Sequence, residues 1–188
     1  MNEASFLSTA ELEAGLDTIR QSPRASGPVL MVVRRPKVNV REVLAEGQLD
    51  TVVGLLGDHW AGVRRRDATS RDTATQLTLM NARAIELIAG SKERWPLAGD
   101  QVYVDLDLSL ENLPPGTRVS LGTAVIEISA EPHTGCRKFV SPFGSDAMRF
   151  VNSPLGRQLN LRGVNARILQ NGTVRVGDLA SVLARIPS

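Results

Sequence analysis

Residues 102–129, VYVDLDLSLENLPPGTRVSLGTAVIEIS, decide the fold class of this chain. From residue 102 to 110 apolar side chains alternate with polar ones, and this period of two places one strand face in a core and the other in solvent. Pro114-Pro115-Gly116 predicts a turn. A second long strand is predicted over residues 119–129. Asp105 and Asp107 share the polar face of the first strand, where a solvated face is a simpler explanation than a cation site.

Strand signals continue downstream of this stretch. The runs 164–169 and 173–176 flank Asn171-Gly172, which is a favoured dipeptide for a two-residue hairpin turn. A last strand is predicted over residues 180–183, after a turn at Gly177-Asp178. The regular spacing of strands after residue 100 favours a barrel or a folded sheet over a parallel α/β fold.

The upstream half mixes helices with strands. A helix is predicted after Ser8, which has capping-box spacing to Glu11. Asn81 predicts the start of a second helix that Gly90 closes. The remaining predicted elements are strands over residues 29–33 and 76–80, a short helix over 145–150, and an exposed Arg-rich and Asp-rich loop over 62–73.

Composition bounds the class of protein. The chain has 188 residues, a net charge of +2 and one cysteine. These values predict one domain over residues 1–188, no disulfide framework and, at so low a charge, no nucleic-acid partner. The N-terminus shows no secretory signal, and no apolar run approaches the roughly 20 residues that span a bilayer. We therefore expect a cytoplasmic protein with no membrane partner.

The lone cysteine lies in the segment Glu131-Pro132-His133-Thr134-Gly135-Cys136-Arg137-Lys138. Pro132 and Gly135 bracket a loop after a strand, which places Cys136 at a strand end. Cys136 has three cationic or titratable neighbours in sequence, His133, Arg137 and Lys138. Such neighbours favour the thiolate, which is the form of cysteine that acts as a nucleophile and as a metal ligand. Free cysteines are also among the most buried residues, and many are inert packing groups. The residues alone leave both roles open.

Other candidate sites are weaker. His59 follows Asp58 after a strand, where a turn or packing role is the simpler explanation. Two His and one Cys, far apart in sequence, do not make a zinc ligand set. The chain contains no Gly-rich phosphate loop, no dinucleotide fingerprint and no nucleophile elbow, so nucleotide binding and serine hydrolysis are poor hypotheses.

Four stretches together resemble the MOSC domain family, named after the C-terminal domain of molybdenum-cofactor sulfurases. They occur in the family's usual order across about residues 99–183, and their joint spacing around one cysteine carries the resemblance. The stretches are GDQV (99–102) leading to NLPPGTR (112–118), GTAVIEI (122–128), HTGCRKF (133–139), and LRGVNAR (161–167) closing with GTVRVGD (172–178).

The resemblance implies a mainly β fold with a few short helices (α+β), built as a MOSC-like β-barrel. Residues 1–98 would form the N-terminal part of the barrel with helices, and residues 99–183 the motif-bearing core. Cys136 would be the functional residue, as a persulfide carrier or as the thiolate ligand of molybdenum in a molybdopterin-type cofactor. Soft-metal ligation and sulfur transfer both need the thiolate. The residues expected to bind the cofactor are His133, Thr134, Arg137, Lys138, Arg162, Asn165 and Arg167.

The family likeness implies either a molybdenum-dependent oxidoreductase or a sulfur transferase. A cysteine desulfurase domain has no room in the chain, so sulfur transfer requires a donor protein or a molybdenum-cofactor enzyme as partner. Two features depart from the family pattern: Gly135 replaces the usual proline before the cysteine, and no His-Gly-Gly run follows Gly57-Asp58-His59. The alternative is a non-catalytic module that binds a partner protein or a small anion through Arg64, Arg65 and Arg66.

Overall fold

Seven strands of the computed structural model, which describes residues 6–62 and 73–185, close into a β-barrel. Around the barrel the order is β1, β6, β5, β9, β8, β7, β11 and back to β1. Only the β5–β6 pair among these neighbours is parallel. The bounds are β1 (Ser26–Arg34), β5 (Leu77–Asn81), β6 (Val102–Val104), β7 (Arg118–Leu121), β8 (Ala124–Ile128), β9 (Val164–Gln170) and β11 (Leu179–Ala184).

A small second sheet contributes to the barrel core. It has the order β10–β3–β4, and β2 extends the main sheet beyond β1. Leu49, Leu55 and Val174 of the small sheet are buried in the same apolar cluster as the barrel interior. The bounds are β2 (Glu42–Leu44), β3 (Glu46–Asp50), β4 (Gly54–Leu55) and β10 (Gly172–Arg175).

Helices cover one side of the barrel. They bury a second apolar cluster against Met31, Met80 and Tyr103, which point outward from β1, β5 and β6. The wall formed by β7, β8, β9 and β11 contributes nothing to this cluster. The helices are α1 (Thr9–Ala14), α2 (Leu16–Arg20), α3 (Ala82–Ala89), α4 (Arg137–Asn152) and α5 (Pro154–Gln158), with a 3-10 helix at Lys92–Ala98.

Several predicted elements are confirmed. Ser8 and Glu11 form the capping box of α1. Asn81 caps α3 through the Ala84 N–H, and Gly90 ends that helix in the left-handed conformation. The strands predicted over 29–33, 76–80 and 180–183 correspond to β1, β5 and β11, and the barrel itself is the predicted architecture.

The long strand predicted over residues 102–110 is wrong beyond Val104. Tyr103 is fully buried under the helices and donates to Trp95 O at 2.7 Å, so both strand faces are covered. Asp105 instead binds Arg83, and Asp107 accepts from the Ser109 N–H in a local turn. Side-chain bonds to aspartates that hold such turns compete with sheet pairing.

The single strand predicted over residues 119–129 is a hairpin. Gly122 has a φ of +60°, and a Cβ there would lie 2.3 Å from Thr173 O. The chain therefore reverses at Gly122, and β7 pairs with β8 in the register Val119–Ile126 and Leu121–Ala124.

The hairpin predicted at Asn171-Gly172 is wrong. β9 lies between β5 and β8, whereas β10 pairs with β3. The Asn171 side chain accepts from the Thr51 N–H at 2.8 Å and donates to Asp50 at 3.0 Å. It stabilises the turn after β3, so the chain passes from one sheet to the other.

The short helix predicted over 145–150 is part of the longer α4, in which Gly144 alone has non-helical torsions. Residues 63–72, which include Arg64, Arg65 and Arg66, lie outside the described residues. No helix in the described part of the chain is long and apolar enough to cross a membrane.

Candidate functional site

Cys136 is exposed at the end of the loop that follows β8. It is the N-cap residue of α4, and its side chain makes no capping bond. The loop is held by Asn165 of β9, which donates through its side chain to Glu131 O at 3.1 Å. An exposed free thiol on an anchored loop can react without rearrangement of the core.

Gly135, directly before the cysteine, is bound by Asn152 at the end of α4. The Asn152 side chain accepts from the Gly135 N–H at 2.9 Å and donates to Gly135 O at 3.0 Å. A Cβ on residue 135 would lie 3.0 Å from Val151 and 3.2 Å from Asn152 Nδ2. Glycine at residue 135 thus allows α4 to approach the loop closely.

A buried polar group lies beneath this loop. Asp100 Oδ2 accepts from Arg162 Nη1 at 2.5 Å, and Asp100 Oδ1 lies 3.4 Å from His133 Nδ1. The Asp100 side chain is fully buried and that of Arg162 is 9% exposed. The Arg162 guanidinium also lies 5.0 Å from the ring centre of Phe139, in the first turn of α4. This group links the cysteine helix to the barrel.

His133 is a neutral histidine in this setting. Burial lowers its pKa to about 4, and the nearby Arg162 and Arg35 guanidiniums act in the same direction. Asp100 raises the pKa but does not compensate for burial. Although the His133–Asp100 distance is that of an ion pair, the imidazole is uncharged at neutral pH, and the contact is between a neutral ring and a carboxylate.

Gly163 makes room for the histidine ring. Its φ is +104°, and a Cβ there would lie 2.3 Å from Leu79 O and 3.3 Å from His133 Nδ1. An L side chain at residue 163 would be strained and would collide with the backbone of β5.

The Gly57-Asp58-His59 segment is connected to the buried polar group at Asp100 through Arg35. Asp58 has a fully buried side chain and binds Arg35 with both carboxylate oxygens, at 2.9 and 3.1 Å. Arg35 Nη1 donates to Gly99 O at 2.9 Å, next to Asp100. His59 Nδ1 lies 2.6 Å from Arg35 O. His59 begins the 3-10 helix His59–Gly62, and Asp58 holds Arg35 beside the buried group.

A cavity of about 240 Å³ opens beside the loop. Four of the residues expected to bind a cofactor line it: His133, Thr134, Arg162 and Asn165. Its other walls come from the end of β8 and from α5. Ligand pockets usually measure about 300–1,000 Å³, so this cavity has room for part of a cofactor-sized group.

Cys136 and the other expected residues are not among those that line the cavity. Arg137 and Lys138 are exposed in the first turn of α4, next to Cys136. Arg167 lies on β9, in the wall of the barrel formed by β7, β8, β9 and β11, which adds nothing to the apolar cluster under the helices and is called the bare wall below. Its guanidinium binds Glu127 at 2.7 Å.

Buried polar atoms without partners concentrate around this region. Among the described residues they are Arg41 Nε, Asp100 Oδ1, Gln101 Nε2, Ser129 Oγ, His133 Nδ1 and Arg162 Nε. Such atoms are uncommon in folded proteins. Within residues 6–62 and 73–185, no carboxylate forms an ion pair with Arg41, and burial together with Arg35 lowers the pKa of its guanidinium. The region therefore has an excess of cationic and donor groups.

Three residues of the site were missed by sequence reasoning. Asp100 lies within the GDQV stretch but was not assigned a role, although a buried partner for a motif arginine is a reasonable guess. Arg35 and Asn152 belong to no motif, and nothing in their local sequence indicates that they reach the loop.

The arrangement suits a group that takes one soft ligand from the protein. No three His, Cys, Asp or Glu side chains of the described residues are placed to hold a metal ion by themselves. Cys136 supplies an exposed thiol, and the nearby cavity is lined by both apolar side chains and the polar His133, Arg162 and Asn165.

Comparisons with known proteins support the fold. No protein-family model matches the sequence, and no curated protein matches it significantly. Among solved structures, the chain is similar to YuaD from Bacillus subtilis, with a TM-score of 0.61 and 22% identity over 84% of this chain and 95% of that one. It is also similar to YiiM from Escherichia coli, with a TM-score of 0.58 and 18% identity over 87% of this chain and 72% of that one. Together with the closed seven-stranded barrel, these similarities establish a MOSC-like fold.

Proposed function

We propose that the chain is a protein of the MOSC domain family that uses Cys136 for molybdenum-cofactor binding or for sulfur transfer. The observation that carries this proposal is the position of the single free thiol. Cys136 is exposed at the end of the loop that follows β8, and the same loop carries His133 and Thr134, which line the cavity. Fold likeness alone does not specify chemistry, so the thiol and its surroundings bear the argument.

In the cofactor-binding form of the proposal, Cys136 provides the thiolate ligand. His133, Thr134, Arg162 and Asn165 line the adjoining cavity and would contact the polar parts of the group. Arg137 and Lys138 directly follow Cys136 and are exposed in the first turn of α4, where they would face an anionic part of the group. The bound cofactor would supply two-electron redox chemistry, which makes an oxidoreductase one expected activity.

In the sulfur-transfer form, Cys136 accepts sulfur from a donor protein. The thiolate attacks the outer sulfur of the donor's persulfide, a new S–S bond forms on Cys136, and the donor's S–S bond breaks with its electron pair leaving on the donor thiolate. The exposed position of Cys136 allows such a partner to approach. The free thiol also suits the reducing cytoplasm, where we place the protein.

The test is the molybdenum and pterin content of the protein purified from a host that makes the cofactor, beside Cys136→Ser. Near-stoichiometric metal in the wild type and none in the variant supports a thiolate-ligated cofactor. If both are empty, cyanide-releasable sulfur on the wild type and none on the variant supports the sulfur-carrier form. Absence of metal, pterin and releasable sulfur from the wild type contradicts the proposal.

A further inference from the structure

Helix α4 folds back on itself at Gly144. This glycine has a φ of +85° and a ψ of 168°, which separates a first arm, residues 137–143, from a second arm, residues 145–152. Cys136 precedes the first arm and Asn152 ends the second. The hydrogen bonds between Asn152 and Gly135 show that the end of the second arm lies beside the start of the first.

Other parts of the chain hold this bend. The ring of Phe6 covers Gly144, so that a Cβ there would lie 2.9 Å from it. Asp146, at the start of the second arm, accepts from the Thr9 N–H of α1 at 3.0 Å. Phe143 and Phe150, one in each arm, are both buried in the second apolar cluster, between the helices and the barrel. The N-terminal segment and the cluster therefore fix the place of Asn152.

The Asn152 carboxamide fixes both peptide planes around Gly135. Its oxygen binds the N–H of the Thr134–Gly135 peptide, and its nitrogen binds the carbonyl of the Gly135–Cys136 peptide. Glycine is the residue with the greatest backbone freedom, so an unbound Gly135 would leave the following residue free to move. With both planes held, the Cα of Cys136 has a defined position while its thiol remains exposed.

We propose that Asn152 is the positioning residue of Cys136: it holds the thiol in the orientation needed for sulfur or metal loading, and the bend at Gly144 brings it there. This inference rests on the proposed function, because it assumes that Cys136 is the working residue. Misplacement of a reacting group by about 1 Å costs up to about 100-fold in rate, so a small loss of order here is large in effect.

The test compares Asn152→Ala with Asn171→Ala. Asn171 also makes one accepting and one donating side-chain bond, but to the turn after β3, and it is the matched control. Because the chain has one cysteine, a nitroxide label attaches only at Cys136. The electron spin resonance spectrum of the label then reports loop motion. On unlabelled protein, the rate of sulfane-sulfur uptake from inorganic polysulfide is measured as cyanide-releasable sulfur.

We expect a more mobile label and an uptake rate lower by about tenfold in Asn152→Ala, with neither change in Asn171→Ala. Asn152→Asp should lie between, because a carboxylate still accepts from the Gly135 N–H but cannot donate to Gly135 O. An unchanged label spectrum in Asn152→Ala overturns the inference. So does a mobile label with wild-type uptake, since Asn152 would then be only structural. If the wild type loads neither sulfur nor molybdenum, the proposed function fails, and the label spectrum alone decides whether Asn152 holds the loop.

Discussion

Two arginines of one motif, LRGVNAR at residues 161–167, lie on opposite sides of the barrel. Arg162 is under the helices, 9% exposed, and binds a carboxylate that is fully buried. Arg167 is on the bare wall, 49% exposed, and binds Glu127, which is 17% exposed. Both form short contacts with carboxylates, but only Arg162 adjoins the cysteine loop. Both arginines belong to the same motif, but only the buried one, Arg162, lies at the candidate site. Membership of the motif therefore does not by itself identify a residue of the site.

The largest effect should come from breaking the buried pair. Asp100→Asn removes the charge that compensates Arg162 and leaves a buried guanidinium unpaired. Loss of one partner of a buried pair costs about 3–5 kcal/mol of stability. Urea unfolding should show this decrease, whereas Glu127→Gln on the bare wall should lose no more than about 1 kcal/mol. Equal losses in the two variants would contradict the distinction between the two sides.

The second largest effect should be a pH dependence of stability that is caused by His133, on the side of the barrel that the helices cover. The folded state holds the pKa of His133 at about 4, below its ordinary value of 6.5. Between these two pH values the unfolded chain binds more protons, so stability falls as pH decreases, by up to about 3 kcal/mol.

Chemical unfolding of the wild type and of His133→Asn at a series of pH values from neutral to acidic measures this contribution. His133→Asn should have a shallower decrease, because asparagine does not titrate. His59→Asn is the control, since its ring lies by Arg35 O in the turn after β4. The prediction fails if the decrease in stability with pH is as steep in His133→Asn as in the wild type.

The smallest effect should come from Arg167→Ala. Exposed ion pairs contribute about 0–1 kcal/mol, and Arg167 does not line the cavity. We expect a stability change within that range and unchanged loading of Cys136 with sulfur or molybdenum. A tenfold loss of loading in Arg167→Ala would place a functional residue on the bare wall.

The sequence predicted the fold class because local signals agreed with it. The capping box at Ser8, the Asn81 cap and the strands predicted over 29–33, 76–80 and 180–183 all correspond to real elements. Errors arose where tertiary contacts overrode a local pattern. Asn171-Gly172 favours a hairpin, but Asn171 is used by the turn after β3, and Tyr103 is buried on the side that alternation assigned to solvent.

The candidate site was predictable only in part. Cys136, His133 and Thr134 lie within one short segment, and the family resemblance added Arg162 and Asn165. Of these five, all but Cys136 line the cavity. Asn152 reaches Gly135 only because α4 bends at Gly144. Such contacts depend on how distant elements pack, and no local pattern carries that information.

The most direct test of the account is native alkylation of Cys136. The folded protein is treated with iodoacetamide, the extent of modification is read from the intact mass, and loading with molybdenum or sulfur is then measured. We predict complete modification at the single thiol without unfolding, and no loading of the modified protein. A thiol that reacts only after denaturation, or an alkylated protein that loads like the untreated one, would contradict the claim that Cys136 is the working residue.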